Sequence, residues 1–365
     1  MKTTKIIFAG GFLGAGKTTL LWEAAQRLMK KGLRVGLITN DQAPELVDTV
    51  LLSQQGLKVA EVSGSCFCCN FNGLTDAITK VSGETFADVI IAEPVGSCTD
   101  LSATIMQPLK QNWNAQLSVA PLSVLADPER LVPILDGKTA DLHVDAAYIF
   151  RKQLEESDII LITKTDTLRA EALATLLERT RETFPLSTVV PVSAVSGQGI
   201  DEWLEDVLTR TDAGQRIATV DYDIYAHGEA VLGWLNGTVL LKGDTVDWDA
   251  LLRTFLTRLA QRFDEAGYGV GHVKAILENE SLYIVGNLTG KAHTLSLRNS
   301  AGTGDTAKLT VNARVETSPE ELDALVREVL SETTRDRYES TVLAWRCLQP
   351  GRPNPTYRFA QAVNN

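Results

Sequence analysis

Residues 11–18 read GFLGAGKT and match the phosphate-loop pattern GxxxxGK(S/T) at every specified position. A short apolar run precedes this stretch and an amphipathic helical pattern follows it, which is the context that a phosphate loop requires. Its glycines allow close backbone approaches, through which consecutive N–H groups surround phosphate oxygens. We therefore predict that Lys17 contacts the β- and γ-phosphates of a nucleotide and that Thr18 binds Mg²⁺. The residues predicted to bind the nucleotide phosphates are Gly11, Gly14, Ala15, Gly16, Lys17, Thr18 and Thr19.

Apolar runs alternate with helix-like segments from residue 5 to about residue 206. Several runs, such as residues 159–162, are continuously apolar, as expected for strands that are covered on both faces. This alternation predicts an α/β P-loop NTPase fold with a doubly wound, mostly parallel sheet. The predicted strands are residues 5–9, 34–39, 57–63, 87–92, 117–125, 158–163 and 188–193.

The pattern changes around residues 211–220. Beyond them, Asn236-Gly237 lies between two apolar runs and predicts a two-residue β-hairpin. A helix is predicted at residues 248–266, and another begins at Ser318-Pro319-Glu320-Glu321, where a capping box meets a proline in the first helical position. These features indicate a smaller α+β domain. The predicted domains are a phosphate-loop domain at residues 1–212 and a C-terminal α+β domain at residues 222–365.

The stretch Thr163-Lys164-Thr165-Asp166 matches the (N/T)KxD pattern of GTP-binding domains. The carboxylate of Asp166 can accept hydrogen bonds from N1–H and the exocyclic amine of guanine, whereas adenine would leave it partly unpaired. Lys164 would lay its aliphatic stem along the base, and Ser193-Ala194 follows the next strand as a further base contact. The alternative is an ordinary helix cap with a solvated Asp166. The position of the motif after a late strand favours guanine.

Three cysteines, Cys66, Cys68 and Cys69, lie within four positions after a predicted strand. Joint ligation of a metal requires a bent loop there, because alternate side chains of an extended chain face opposite sides. Three thiolates suit Zn²⁺, with Co²⁺ or Ni²⁺ as alternatives, and leave a tetrahedral site one ligand short. The fourth ligand would be water, a carboxylate or a group from a second chain. Buried apolar thiols and a redox pair are the competing interpretations.

The remaining cysteines and the histidines give no such pattern. Cys98 and Cys347 are isolated in the sequence and are interpreted as structural. The histidines are scattered, with no two at ligand spacing, and are likewise interpreted as structural. They are His143, His227, His272 and His293.

Two acidic residues follow predicted strands on the side where the phosphates would lie. Glu93 ends one apolar strand, a position from which a carboxylate reaches Mg²⁺ or the attacking water. Asp41 follows another strand and can face the phosphates as well. Solvated loop carboxylates are the alternative for both. We predict Lys17, Glu93 and Asp41 as the catalytic residues, with Thr18, Asp41 and Glu93 as Mg²⁺ ligands.

The composition favours a soluble, cytoplasmic protein. Hydrophobic residues make up 44% of the 365 residues and charged residues 22%, and the net charge is −11. That charge repels nucleic acid, and no basic patch offsets it. The sequence contains neither a signal peptide nor an apolar stretch long enough to span a membrane. We therefore expect neither nucleic-acid nor membrane partners.

The chain resembles the CobW/HypB/UreG family of P-loop GTPases, most closely its CobW-like branch, over roughly the first 210 residues. The resemblance implies a GTPase of the metallochaperone or cobalamin-metabolism type that forms nucleotide-dependent homodimers. It implies that Asp41 and Glu93 serve Mg²⁺ or water, that the cysteine cluster binds metal, and that Lys164 and Asp166 contact guanine. The stretches that carry it are GFLGAGKTT, the CxCC cluster, Glu93-Pro94, QLEESDIILITKTD at 153–166 and PVSA at 191–194.

The sequence departs from the family pattern at a few positions. Ser65 stands where glycine usually precedes the first cysteine, Thr163 replaces the commoner asparagine, and a histidine-rich tract is absent. The leading hypothesis is a GTP-hydrolysing metallochaperone that delivers metal to a client metalloprotein or matures a corrinoid-dependent enzyme, with the C-terminal domain binding the client. The alternatives are a GTP-dependent regulatory module with structural zinc and a small-molecule phosphotransferase.

Overall fold

The computed structural model describes residues 3–41, 47–54, 57–289, 294–334 and 338–363. Within these residues the chain forms two separate β-sheets, one of eight strands and one of six. Strands before residue 192 build the first sheet, and strands after residue 232 build the second. Among the described helices, none is both long enough and apolar enough to cross a membrane.

The first sheet is parallel, in the order β3-β2-β4-β1-β6-β7-β8, with β5 paired to β1 as well. Its strands are β1 (Thr4–Gly11), β2 (Val35–Asn40), β3 (Val59–Val62), β4 (Val89–Glu93), β5 (Leu117–Val119), β6 (Ser123–Ala126), β7 (Ile159–Ile162) and β8 (Thr188–Pro191). The helices between them are α1 (Lys17–Lys30), α2 (Val47–Gln54), α3 (Phe71–Thr85), α4 (Gln107–Trp113), α5 (Pro128–Leu135), α6 (Val144–Glu156), α7 (Ala170–Thr183) and α8 (Ile200–Thr209).

Each predicted strand of the first part overlaps an observed strand, so the predicted doubly wound parallel sheet is confirmed. The run at residues 117–125 differs, because it forms two strands, β5 and β6, that pair with different halves of β1. Pro121 lies between them and has no N–H to donate to a sheet ladder. The carboxyl ends of the parallel strands share one edge, and the phosphate loop, Glu93, the cysteine cluster and the base motif all follow strands there.

The second sheet is antiparallel, in the order β12-β11-β10-β13-β9-β14. Its strands are β9 (Gly233–Asp247), β10 (Val270–Asn279), β11 (Leu282–Thr289), β12 (Thr294–Ser300), β13 (Thr303–Val315) and β14 (Tyr338–Leu348). The accompanying helices are α9 (Tyr222–Ala230), α10 (Trp248–Ala266) and α11 (Pro319–Thr334). The predicted antiparallel α+β region and its two helices, which begin at residues 248 and 319, are confirmed.

The predicted hairpin at Asn236-Gly237 is wrong, because β9 runs through both residues without a turn. A Cβ at Gly237 would lie 2.4 Å from the ring of Trp345 on the neighbouring strand β14. The glycine is therefore required for close packing rather than for a positive φ angle. The amide of Asn236 points toward the first sheet and donates to Asp41.

Two segments of the second half pack on the first sheet's layer. Helix α9 lies so close to α6 that a Cβ at Gly228 would stand 2.4 Å from the carbonyl oxygen of Asp145. Residues beyond β14 return to the first half, where the N–H of Phe359 donates to the carbonyl of Ala103 over 3.0 Å. These contacts cross the predicted boundary between residues 212 and 222, and the division into two domains stays a prediction.

Candidate functional site

The phosphate loop joins β1 to α1 in the shape that its glycines allow. Gly16 precedes α1 in the left-handed region at φ 88°, and a Cβ there would meet nothing within 4 Å. Lys17 folds back over the loop, and its Nζ donates to the carbonyls of Gly11 at 2.8 Å and Phe12 at 3.3 Å. Burial lowers the pKa of Lys17 to about 8. A glycine-rich turn with a buried ammonium fits the phosphates of a nucleotide.

Glu93 lies at the end of β4, next to this loop, and only 6% of it is exposed. Its Oε2 has no hydrogen-bond partner among the described residues. Burial, reinforced by the charge of Asp48, raises the pKa of Glu93 to about 7. A carboxyl of that pKa can bind a cation or accept a proton near neutral pH.

The hydroxyl of Thr18 donates to Asp48 Oδ1 over 2.6 Å. The Nζ of Lys274, on β10 of the second sheet, lies 2.6 and 2.7 Å from the two Asp48 oxygens and 3.2 Å from Thr18 Oγ1. A hydroxyl and a carboxylate that already hold a cation form an oxygen donor set that fits Mg²⁺. The sequence reasoning missed both Asp48 and Lys274.

Asp41 follows β2 and is buried, with 2% of its surface exposed. Its Oδ2 accepts hydrogen bonds from Arg314 at 2.5 Å and from Asn236 at 3.2 Å, both on strands of the second sheet. Arg314 also stacks over the ring of Trp234. Asp41 therefore connects the strands of the first sheet to those of the second sheet.

The base motif is held in place by hydrogen bonds. Asp166 Oδ1 accepts from the hydroxyl of Ser193 over 2.6 Å, and this hydroxyl accepts in turn from the N–H of Ser196. Thr163 donates to the carbonyl of Ala15 in the phosphate loop over 2.9 Å. The ammonium of Lys164 pairs with Asp127, a residue that the sequence reasoning missed.

One cavity connects the phosphate loop with the base motif. Of the predicted residues it is lined by Gly14, Gly16, Lys17, Thr18, Thr19, Asp41, Glu93, Lys164, Asp166 and Ala194. Gly11, Ala15, Ser193 and the three clustered cysteines lie outside its lining. Part of its wall comes from the second sheet, through residues such as Trp234, His272, Lys274, Asn287, Arg298 and Arg314.

The cysteine loop is bent, as joint metal ligation requires. The N–H groups of Cys69 and Asn70 both donate to the carbonyl of Cys66, which forms a tight turn. The Sγ atoms of Cys66 and Cys68 lie 3.1 Å apart, and those of Cys68 and Cys69 lie 3.7 Å apart. Cys66 and Cys68 are buried and Cys69 is partly exposed. Three thiols at this spacing fit one soft or borderline ion.

Cys98, which is isolated in the sequence, lies next to the cysteine cluster in the fold. Its interpretation as a structural residue stays a prediction. The thiols of Cys68, Cys69 and Cys98 together hold the pKa of Cys66 well below its ordinary value. The buried carboxylate of Glu229, on α9, lies beside the same thiols, and burial raises its pKa. Ser97 donates to Glu229 Oε1 over 2.6 Å, while Oε2 has no partner within the described part of the chain.

Two histidines that are far apart in the sequence lie close together in the fold. The rings of His143 and His227 lie 5.1 Å apart. One ring nitrogen from each histidine and a carboxylate oxygen of Asp145 all lie within 4.8 Å of one another. His272 lines the nucleotide cavity, and burial lowers its pKa well below the ordinary value. His293 lies outside the described residues.

Two short segments connect the nucleotide cavity to the thiols. Asn40, adjacent to Asp41, donates to the carbonyl of Ser65 and accepts from the N–H of Phe67, each over 2.8 Å. The loop after Glu93 passes the phosphate loop at Gly96, where a Cβ would lie 3.1 Å from Lys17 Nζ. Cys98 follows two residues later. Few residues therefore separate the phosphate loop from the cysteine loop along both segments.

The tail strap, residues 354–359, covers the cysteine loop from outside. The N–H of Asn354 donates to the sulfur of Cys69 over 3.2 Å. The N–H of Thr356 donates to the carbonyl of Cys68 over 2.8 Å. An N–H···S bond of this kind stabilises a thiolate, so the strap contributes to the environment of the cluster.

The profile described as CobW/HypB/UreG, nucleotide-binding domain, matches residues 5–191. Over 196 residues the chain is 27% identical to the zinc chaperone YjiA of Escherichia coli, covering 52% of this chain and 58% of that protein. Over 192 residues it is 29% identical to the zinc chaperone CobW of a Sinorhizobium species, covering 45% and 51%. The chain thus spans little more than half the length of these relatives. Among solved structures, HypB from Helicobacter pylori in complex with nickel has 17% identity and a TM-score of 0.42, covering 57% of this chain and 86% of that one.

Proposed function

This chain belongs to the CobW/HypB/UreG family, and on that premise we propose that it is a GTP-hydrolysing metallochaperone. The nucleotide state would control how tightly the cysteine loop holds a metal ion destined for a client metalloprotein or a corrinoid-dependent enzyme. The observation that carries this proposal is the pair of connections, at Asn40 and at Gly96–Cys98, between the nucleotide cavity and the thiols. Relatives named as zinc chaperones support zinc as the cargo, with Co²⁺ or Ni²⁺ as alternatives.

The residues around the phosphate loop would have separate roles in GTP hydrolysis. Lys17 would contact the β- and γ-phosphates, and Thr18, Glu93 and Asp41 would hold Mg²⁺ together with the newly identified Asp48. The ion, when bound, neutralises charge that builds up on the phosphate oxygens. Glu93 would position the attacking water and accept its proton, since its raised pKa matches neutral pH.

The base motif would select guanine. The carboxylate of Asp166 is oriented by the hydroxyl of Ser193, and it would accept from N1–H and the exocyclic amine of guanine. Ala194 lines the same end of the cavity beside Lys164. A site that depends on paired hydrogen bonds rejects the wrong base by roughly 10⁴–10⁵ in favourable cases.

The second half of the chain would select the client, and a nucleotide-dependent homodimer would bring two cysteine loops together. We retain residues 1–212 as the GTPase domain and 222–365 as the client-binding domain in this proposal.

Zinc titration tests the proposed coupling. We expect the Zn²⁺ affinity measured with GDP to differ from that measured with a non-hydrolysable GTP analogue by about 5–150-fold, the usual range for coupled sites. A Cys347→Ser variant serves as the matched control, because that thiol lies on β14 and donates to the carbonyl of Pro319. Equal affinities in the two nucleotide states would contradict the proposal.

Burial of the thiols favours a second candidate, a GTP-dependent regulatory module with structural zinc. Cys66 and Cys68 are each 3% exposed, and the nearby thiol of Cys98 would be the fourth ligand in such a site, because structural zinc usually has four protein ligands. The two candidates differ in whether the bound zinc ion can leave the protein. A zinc ion that resists mild chelators in every nucleotide state would support the structural role, whereas release on nucleotide exchange supports delivery.

A further inference from the structure

The second sheet turns one face of β10 and β13 toward the nucleotide cavity. His272 and Lys274 alternate along β10 with Val273 and Ala275, whose side chains are buried in the sheet's own core with α10. Side chains two apart on a strand share a face, so His272 and Lys274 point the same way. The face toward the cavity therefore carries polar and cationic groups, and the opposite face is apolar.

Lys274 makes the most direct contact across this boundary. Its ammonium lies 2.6 and 2.7 Å from the two oxygens of Asp48 and 3.2 Å from the hydroxyl of Thr18. Side-chain exposure is 18% for Lys274 and 8% for Asp48, so the ion pair is largely shielded from water and salt. Thr18 is the phosphate-loop residue whose hydroxyl binds the metal ion in P-loop proteins.

The helix that carries Asp48 is tied to the second sheet at a second point. The backbone N–H of Val47, at the start of α2, donates to the side chain of Asn312 on β13 over 2.7 Å. Nearby, Arg130 donates both to Leu13 in the phosphate loop, over 2.8 Å, and to Gly271 on β10, over 3.0 Å. Hydrogen bonds therefore connect the start of α2 to β13, and Arg130 connects the phosphate loop to β10.

We propose that Lys274 is a tethered cation that occupies the Thr18–Asp48 oxygen pair in competition with Mg²⁺, so that the second sheet senses metal-bound nucleotide. One ammonium and one divalent ion cannot share these oxygens, because their charges repel at such short range. Lys274 leaves Asp48 when the ion binds with the nucleotide, and β10 then loses its ionic contact with α2. This inference rests on the proposed GTP site. Lys274 would act on that site only through Asp48 and Thr18.

The test is the Mg²⁺ dependence of nucleotide binding, measured by the fluorescence of a mant-labelled GTP analogue. We expect Lys274→Met to lower the Mg²⁺ concentration at half-maximal tightening by at least about fivefold, the lower end of usual coupling. Lys274→Arg keeps the charge and should stay near the wild-type value. Lys242→Met, an exposed lysine on β9 of the same sheet, is the matched control and should change nothing.

A double-mutant cycle separates competition from general damage. Asp48→Asn removes the carboxylate that both cations use, so it should raise the Mg²⁺ requirement and abolish the effect of Lys274→Met in the double variant. Lys274→Gln provides a second neutral side chain if the methionine variant folds poorly. Thermal unfolding identifies any variant with a lost fold.

The outcomes distinguish this inference from the proposed function. A wild-type protein that binds no guanine nucleotide at any Mg²⁺ concentration would contradict the GTP site itself. A wild-type protein that binds, with a half-maximal Mg²⁺ concentration that is unchanged or raised in both neutral Lys274 variants, would overturn only the role of Lys274.

Discussion

At the scale of single residues, burial sets the proton affinity of the groups around the phosphate loop. Burial lowers the pKa of Lys17 to about 8, and it raises the pKa of Glu93 to about 7. The charges of Glu93 and Asp48 moderate the effect on Lys17. Phosphate oxygens arriving beside Lys17 would add negative charge and favour its protonated form. The binding of an anion beside Lys17 and the protonation of Lys17 would therefore favour each other.

Cys98 provides a prediction at this scale. We expect Cys98→Ser to weaken Zn²⁺ binding by roughly 10–100-fold, the loss that follows from removing a supporting partner of a metal site. Competition with a chromophoric chelator measures the affinity, and Cys347→Ser is the control. An unchanged affinity in Cys98→Ser would show that this thiol is only a buried neighbour of the cluster.

The involvement of Cys98 could not be predicted from the sequence. Cys66 follows β3 and Cys98 follows β4, and these strands are separated in the sheet only by β2. The residue types and their positions after strands can be recognised in the sequence, as they were for Lys17 and Asp166. Which strands lie side by side is decided by packing of the whole sheet, and it places Cys98 next to a cluster 30 residues earlier.

At the scale of elements, the tail strap is a cover held by hydrogen bonds, by an ion pair from Arg358 to Asp100 and by one aromatic contact. Its backbone N–H groups bond to Cys68 and Cys69, and Tyr357 packs edge-on against Phe71 with ring centroids 5.1 Å apart. Each hydrogen bond contributes only about 1 kcal/mol net, so the strap can open without unfolding the sheet beneath it.

Truncation after residue 350 tests this cover. We expect Cys69 to react with a thiol-specific reagent about tenfold faster, because the shielding by the strap is removed. The loss of the N–H···S bond from Asn354 acts in the opposite direction, since that bond favours the thiolate. Arg352→Ala, which removes an exposed ion pair with Asp223 and leaves the strap in place, is the control. A reaction rate equal to that of the full chain would mean that the strap does not protect the thiol.

Strand β9 shows where pattern and packing diverge at the element scale. Asn236-Gly237 has the residues of a tight turn, yet both lie inside a 15-residue strand. The wide ring of Trp345 needs the space that Gly237 leaves, and this neighbour comes from β14, more than a hundred residues later. In contrast, α11 begins where its capping box predicts, because the bond from Glu321 N–H to Ser318 is local.

At the scale of the whole molecule, the buried carboxyl of Glu156 makes stability depend on pH. It accepts bonds from Thr99 and Ser102, and burial raises its pKa from 4.5 to about 8. The folded state therefore binds this proton more tightly than the unfolded state does. Its contribution to stability is complete below about pH 4.5 and is lost as the pH rises to about 8.

We expect Glu156→Gln to remove that dependence. The substitution itself can change the unfolding free energy by an amount that does not depend on pH. The difference in unfolding free energy, variant minus wild type, should then increase between pH 5 and 8 by at most about 1.4 kcal/mol per pH unit. Urea denaturation at several pH values measures it, with Glu155→Gln, on the exposed side of α6, as the control. Parallel pH profiles for wild type and Glu156→Gln would refute the assignment.

The bonds between the tail strap and the cysteine loop span 285 residues of sequence. Closing so long a segment of chain carries an entropy cost of roughly 5 kcal/mol, so these bonds form late in folding. During synthesis the cysteine loop emerges from the ribosome well before Asn354 does. A newly made molecule therefore passes through an interval in which the strap does not cover the thiols. That interval ends when residues 354–359 have been made and have formed their bonds to the cysteine loop.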